Sequence, residues 1–155
     1  MPDNLPLPAF IRKNLDPITE EWRDFAETLA PQGTSDLVLR NHIHQILFYI
    51  ADDIETPQTA KQQRSKSQGA RDNEKESPGA SHASLRFDAG FNMVQMVSEY
   101  RALRATVIKL WTKKRIVLTD SDVLDLIRFN EAIDQLLAQS VACFIEHYQL
   151  RLETA

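Results

Sequence analysis

The sequence predicts an all-α protein, and two observations carry that prediction. The 155 residues include only 4 glycines and 7 prolines, and no proline follows Pro78. Because glycine and proline most strongly interrupt regular structure, their scarcity in the second half predicts long helices. Apolar residues also recur at spacings of three and four, which is the period of a helix with a buried face. The length suits one core, so we treat residues 1–155 as a single helical domain.

Composition and charge exclude several classes of partner and location. Lys and Arg number 18 against 22 Asp and Glu, a net charge of −4, so generic binding to nucleic acid or anionic lipid is disfavoured. The single cysteine, Cys143, cannot form an intramolecular disulfide, which fits a reducing compartment. The longest apolar run, Ile46–Ala51, is far shorter than the ~20 residues that cross a bilayer, and the N-terminus lacks an export signal. We therefore expect a cytoplasmic protein with no membrane insertion and no nucleic-acid partner.

Two helices are predicted in the first half of the chain. Asp16 is a suitable N-cap for the first, and its apolar stripe stops near Pro31. The second begins at Thr34 or Ser35 and ends before Thr56, because the residue preceding Pro57 avoids the helical region. Apolar residues occupy more than one side of this second helix, so we expect it to be central to the core.

His42 and His44 lie two residues apart on the second helix and look like a metal-binding pair. On a helix, however, residues two apart point in nearly opposite directions and cannot share one ion. We expect one of these histidines to be hydrogen-bonded inside the core and the other to be solvated. A haem or metal sensor is an alternative that this spacing does not support, and we predict no cofactor.

Residues 58–79 form a polar segment that cannot contribute to the core. Ala60 and Ala70 are its only members of the apolar set, and basic and acidic residues alternate with Ser, Gln and Asn. This composition is typical of solvated or disordered chain. We expect a mobile segment, above all at Ala70–Gly79, and its basic residues are most simply solvated.

The second half predicts two long antiparallel helices. One runs from about Ala80 to Lys114. After a turn at Ile116–Leu118, the other begins at Thr119 and reaches Leu152 without a stop signal. Each carries two apolar stripes, more than one domain needs for its own core. We therefore predict a two-fold dimer with a four-helix interface. The predicted interface residues are Met93, Tyr100, Leu103, Val107, Leu110, Ile133, Leu137, Phe144 and Tyr148.

No catalytic motif is present in the sequence. GxxxxGK[ST], GxGxxG, HExxH and GxSxG are all missing, and no Glu stands three residues before any histidine, as a di-iron bundle requires. We predict no catalytic residue and no metal site, so the chain itself is not expected to be an enzyme. The candidate contacts for a ligand or signal are His42, His82, Glu99, Arg101 and Arg104.

Three of these candidates have a local context. His82 precedes the long helix beside a predicted cap, Ser81. Arg101 and Arg104 share one flank of that helix, where Asn130, Glu131 or Asp134 could pair with them. A structural charge network is the simpler interpretation, and the functional one is a polar switch whose rearrangement slides or rotates the hairpin.

Two stretches of the sequence carry a more specific pattern. The first comprises Leu39–Ile43 and Ile50–Thr59, then Gln63, Lys66, Ser67 and Gly69. The second comprises His82, Arg86, Gly90–Phe91, Gln95, Val97–Ala105 and Leu110–Trp111. Together they resemble the N-terminal input domain of a class of bacterial sensor histidine kinases. That domain is related to the RsbT co-antagonist (RsbRD-type) N-terminal family of the stressosome, whose fold is a globin-like helical dimer without haem.

The resemblance, which spans roughly Pro17 to Tyr148, implies a cytoplasmic signal-input module. Such a module dimerises through its last helices and passes its signal along the C-terminal helix into a PAS or kinase region of the same chain. This sequence has no ATP-binding domain or His-Glu phosphoacceptor box, so kinase activity would belong to a parent protein, into which we expect the last helix to continue. Two alternatives are a stressosome-like protein-binding scaffold and a phosphotransfer domain, although His-x-x-Lys-Gly is missing at all four histidines.

Overall fold

The computed structural model describes residues 4–29, 36–56 and 77–154, and within these ranges the chain is helical with no strand. The all-α prediction is therefore confirmed for the part of the chain described. Most of the predicted mobile segment, residues 57–76, lies outside these ranges. The described residues form six helices, which are α1 (Leu7–Lys13), α2 (Leu15–Leu29), α3 (Asp36–Glu55), α4 (Pro78–Asp88), α5 (Met93–Lys113) and α6 (Asp120–Thr154).

The short helix α1 is not predicted by the sequence pattern. Leu7, Phe10 and Ile11 are buried, and the helix packs mainly on α3. The residues before α1 are also held, because the carbonyl oxygen of Leu5 accepts hydrogen bonds from Nε1 of Trp111 at 3.1 Å and from Nη1 of Arg115 at 2.8 Å. The N-terminal segment thus closes over the turn between α5 and α6.

Helix α3 is central to the core, as its apolar pattern predicts. It contacts α1, α2, α4 and α6, so apolar residues are buried on several of its sides. Its buried apolar residues are Ile43, Ile46, Leu47, Ile50, Ala51 and Ile54.

The predicted helix from Ala80 to Lys114 is in fact two helices, α4 and α5. Gly90 has φ 88°, a left-handed conformation that glycine adopts without strain. The Gly90 and Phe91 amides donate to the carbonyl oxygens of Phe87 and Arg86, which is a Schellman ending for α4. Asn92 then caps α5, and its side chain and that of Gln95 bond reciprocally to each other's backbone amides. These local bonds stop one helix and start the next within four residues.

The start of α4 corrects two further predictions. The N-cap is Ser77 rather than Ser81, with its Oγ accepting from the amide of Ala80 at 3.1 Å. Gly79, predicted to be mobile, is buried in the first turn of α4 against α6. A Cβ at this position would lie 2.7 Å from the carbonyl oxygen of Leu136, so only glycine allows the two helices to approach this closely.

The turn at Ile116–Leu118 and the start of α6 agree with the sequence prediction. Oγ1 of Thr119 accepts from the amide of Asp122 at 3.1 Å, and the Asp122 carboxylate accepts from the amide of Thr119 at 2.9 Å. Arg115 holds the same carboxylate and lowers its pKa. The hairpin is unequal, however, because α5 is shorter than predicted and α6 packs most extensively against α4.

Candidate functional site

A buried polar cluster lies where α3, α4 and α5 meet. Its members are His42 of α3, His82 and Arg86 of α4, and Glu99 of α5. His82 and Arg86 share a face because they are four residues apart on one helix. Their exposed fractions are 9% for His42, 1% for His82, 0% for Arg86 and 1% for Glu99. Such burial is unusual for ionisable groups unless they are paired.

The four side chains form a continuous series of polar contacts. Nε of Arg86 donates to both carboxylate oxygens of Glu99, at 2.8 and 3.0 Å. Nε2 of His82 lies 3.3 Å from the Glu99 Oε1. Nδ1 of His82 is 2.9 Å from Nδ1 of His42, and the two ring planes are 17° apart with centroids 5.1 Å apart.

Neighbouring residues fix the cluster in place. Nε1 of Trp22 donates to the backbone carbonyl of Glu99 at 3.1 Å, which ties α2 to the site. Tyr100 presents its ring edge-on to His82, and its hydroxyl donates to Oγ of Ser140 at 2.8 Å. Ser140 in turn donates to the carbonyl of Gly79 at 2.6 Å. One hydroxyl of α6 is therefore bonded to both α4 and α5 beside the cluster.

Burial and pairing set the charge states of the cluster. Burial alone would raise the pKa of Glu99, but the hydrogen bonds and charges of His82 and Arg86 outweigh it and the pKa is lowered. Burial lowers the pKa of His42 to about 4, with the charges of His82 and Arg86 acting in the same direction. Burial also lowers the pKa of His82, against the opposing effect of Glu99. At neutral pH the cluster thus holds one cation, one anion and two neutral imidazoles.

Arg86 has donor groups beyond those it gives to Glu99. Its Nη1 and Nη2 atoms are buried and have no hydrogen-bond partner among the residues that the structure describes. One face of the guanidinium lies over the ring of Phe91, with 5.2 Å between Cζ and the ring centroid. Arg86 is the member of the site that sequence reasoning did not single out, although its spacing of four from His82 was visible.

The structure brings three of the five predicted contact residues together and separates the other two. His42, His82 and Glu99 share the cluster, and His82 lies inside α4 rather than before a helix. The prediction for the histidine pair is confirmed, because His42 is buried and hydrogen-bonded while the His44 side chain is partly exposed.

Arg101 and Arg104 point away from the cluster. Arg104 forms an ion pair with Asp134, as the simpler interpretation of that stretch predicts. Arg101 is exposed and lines an open groove with Phe25 and Lys109. Glu99 and the two arginines are therefore not one polar switch.

Five of the nine predicted interface residues lie in the interior of a single chain. They are Tyr100, Leu103, Val107, Ile133 and Phe144, each at most 2% exposed. Because α5 packs against both α2 and α6, its apolar stripes are used within the chain, and these five cannot form a surface. Met93, Leu110 and Leu137 are half-buried and Tyr148 is exposed. The dimer itself stays a prediction.

A second row of residues on α6 has exposed apolar side chains at its two ends and two acidic residues, Glu131 and Asp134, in its middle; we call it the outer stripe. Its residues recur at spacings of three and four, the pattern of a helix-pairing seam. Four of its residues are well exposed: Ile127 at 50%, Ile145 at 43%, Tyr148 at 36% and Leu152 at 76%. The full outer stripe is Leu124, Ile127, Glu131, Asp134, Ala138, Val141, Ile145, Tyr148 and Leu152.

Comparisons with protein-family models, curated proteins and solved structures find no match to this chain. The resemblance to sensor-kinase input domains is accordingly carried by the sequence pattern alone. Within residues 4–29, 36–56 and 77–154, no group of three or more His, Cys, Asp or Glu is arranged to hold a metal ion. The described helices also include none with the length and apolar character needed to cross a bilayer.

Proposed function

We propose that this chain is the signal-input and dimerisation domain of a cytoplasmic sensor histidine kinase, which relays its signal through α6. In this proposal two copies pair along the outer stripe, and the kinase or PAS region belongs to the same parent chain. The chain itself catalyses nothing. A stimulus acts on the polar cluster and changes how the paired α6 helices pack.

The observation that carries this proposal is the outer stripe of α6. A helix in a monomer needs one apolar face, yet α6 also has an inner face buried against α3 and α4, with Phe129, Ala132 and Leu136 fully covered. The outer stripe adds exposed apolar residues at a pairing period, Leu124 and Ile127 at one end and Ile145, Tyr148 and Leu152 at the other. Exposed apolar patches of this kind are typical of protein interfaces, and a two-fold dimer is the commonest way to cover one.

The contacts of Ser140 provide a route from the cluster to α6. Its hydroxyl is bonded to Tyr100, the neighbour of Glu99, and to the carbonyl of Gly79 at the start of α4. A shift of α4 against α5 must therefore change a bond made by α6. Small helix shifts at an interface are an established form of signal transfer in proteins.

A pair of variants tests the dimer. Ile145→Glu places a charge on the outer stripe, whereas Leu150→Glu makes a similar change at an exposed residue of the same helix that lies outside the stripe. We expect sedimentation velocity at high micromolar concentration to show a dimer for the wild-type chain and for Leu150→Glu, and a monomer for Ile145→Glu. A wild-type monomer, or two variants that dimerise equally, would refute the proposal.

The stressosome-like scaffold differs from this proposal in what the gene encodes after Ala155. A kinase region supports the input domain, and its replacement by a protein-binding region supports the scaffold. The phosphotransfer alternative is not favoured, because His82 is buried and His-x-x-Lys-Gly is missing at all four histidines.

A further inference from the structure

A small pocket lies beside the cluster, between α3 and the first turn of α4. Its volume is about 180 Å³, and it is lined by His42, Gln45, Ile46, Pro78 and Ser81. At ~30 Å³ for each water of liquid, this is the space of about six water molecules, which suits a small molecule rather than a large cofactor. Ile46 and His42 form the buried wall, and Gln45 and Ser81 are exposed at the rim.

The contacts of the cluster determine which nitrogen of each histidine carries a hydrogen. Glu99 is held as a carboxylate by Arg86, so its oxygens can only accept hydrogen bonds. The 3.3 Å contact then requires Nε2 of His82 to be the donor. Since a neutral imidazole carries one N–H, Nδ1 of His82 is an acceptor.

The same reasoning extends to His42. Its Nδ1 lies 2.9 Å from the acceptor Nδ1 of His82, so Nδ1 of His42 must donate. Nε2 of His42 is consequently left with a free lone pair. His42 lines the pocket, and its remaining ring nitrogen is thus a hydrogen-bond acceptor whose state is set by Arg86 through two intervening residues.

We propose that this pocket binds a small neutral molecule that donates an N–H or O–H hydrogen bond to Nε2 of His42. Azoles, amides and alcohols belong to this class. The Gln45 amide and Ser81 hydroxyl at the rim supply a donor and further acceptors, and Ile46 and Pro78 supply apolar contact. The role of such a molecule as the stimulus rests on the proposed function, whereas its binding does not.

The charges around His42 explain why the ligand is neutral. His82 and Arg86 face it from α4, and Glu99 from α5, and the two full charges are already paired with each other. A charged ligand would lose hydration beside the cluster without gaining a counter-charge. A neutral donor loses less hydration and satisfies a lone pair that is otherwise left to solvent.

The experiment uses the 155-residue chain with pyrazole and 1-methylpyrazole as probes at neutral pH. Pyrazole is neutral and carries one N–H, and methylation removes that donor while keeping the ring. Side-chain ¹⁵N NMR of the histidines reports the tautomers and the binding together. We expect the Nδ1–H form for His42, the Nε2–H form for His82, and saturable pyrazole binding that perturbs Nε2 of His42. 1-Methylpyrazole should bind about tenfold more weakly.

Two exposed glutamines provide a matched pair of variants. Gln45→Ala removes a rim group and should weaken pyrazole binding by about threefold to tenfold. Gln149→Ala makes the same change on the exposed surface of α6, away from the pocket, and should leave binding unchanged.

Three results would overturn the inference: an Nε2–H tautomer at His42, no binding of pyrazole, or equal affinity for the two probes. A chain that stays monomeric yet binds pyrazole with the expected preference refutes the proposed function and leaves this inference intact. A dimer that binds neither probe refutes this inference and leaves the proposed function intact.

Discussion

The polar cluster and the outer stripe of α6 reverse the usual distribution of residues in a folded protein. The cluster places a carboxylate, a guanidinium and two imidazoles in the interior, with exposures of 9% or less. The outer stripe places large apolar side chains on the surface, with up to 76% exposure at Leu152. Apolar residues of matching size would fill the cluster, and polar residues would suit the stripe, so neither region is explained by the stability of one chain.

The two regions nevertheless differ in how they affect stability. Breaking the cluster leaves a charge buried without its partner, which has a large cost. Changing the outer stripe alters a surface that water already contacts, so a single chain should tolerate it. We therefore expect the cluster to affect the stability of one chain, whereas the stripe affects only how chains assemble.

The largest expected effect comes from Arg86→Met. The substitution keeps an apolar side chain in the interior but leaves the Glu99 carboxylate with only His82 beside it. We expect a loss of about 3–5 kcal/mol in the free energy of unfolding measured with urea. Arg104→Met, which removes the partly exposed pair with Asp134, should cost no more than about 1 kcal/mol. Equal losses for the two variants would contradict the description of the cluster as a tightly paired buried site.

The next effect is a loss of stability in mild acid. The pKa of His42 is about 4 in the folded chain against 6.5 when unfolded, and burial lowers the pKa of His82 in the same direction. The unfolded chain therefore takes up protons first, so stability is complete above about pH 6.5 and falls as the pH drops toward 4. The slope should reach about 1.4 kcal/mol per pH unit for each histidine.

Urea titrations between about pH 6.5 and 5 measure this slope. His42→Gln should reduce it by about half, since one of two titrating groups is lost. Stability that does not change over this interval would show that the two imidazoles are not held neutral in the folded chain.

The smallest effect is expected on the outer stripe. Ile127→Ser alters a half-exposed side chain and should change the free energy of unfolding by no more than about 0.5 kcal/mol in dilute solution. Ile133→Ser makes the same change on the inner face of α6, where the side chain is fully buried, and should cost more than about 3 kcal/mol. A large loss with Ile127→Ser would mean that the stripe is packed within one chain.

Local patterns in the sequence predicted much of the fold. The end of α3 before Thr56 and the start of α6 follow from local signals that act over a few neighbouring positions. The start of α2 was predicted wrongly, because the helix begins at Leu15 and the predicted cap Asp16 lies inside its first turn. The break between α4 and α5 was also encoded locally, by Gly90 and the Asn92/Gln95 capping box, but the continuous apolar pattern on both sides concealed it. Helix α1 was too short to display a period.

The site was harder to predict because its contacts are distant in sequence. His42 and His82 are separated by 40 positions, and no local rule pairs them. The pairing of Arg104 with Asp134 could be predicted because both interrupt apolar stripes on helices expected to be neighbours. Glu99 lies on the same helix as Arg104 but faces inward, and only the three-dimensional structure shows that its partner is Arg86 of α4.

The hydrogen bonds of Leu5 have a consequence for the order of folding. They join residues 106 and 110 positions apart, so forming them closes a long loop of chain, which favours their formation late in folding. We therefore expect α1 to dock late, and its release to be a local opening that uncovers Trp111 and the turn before α6.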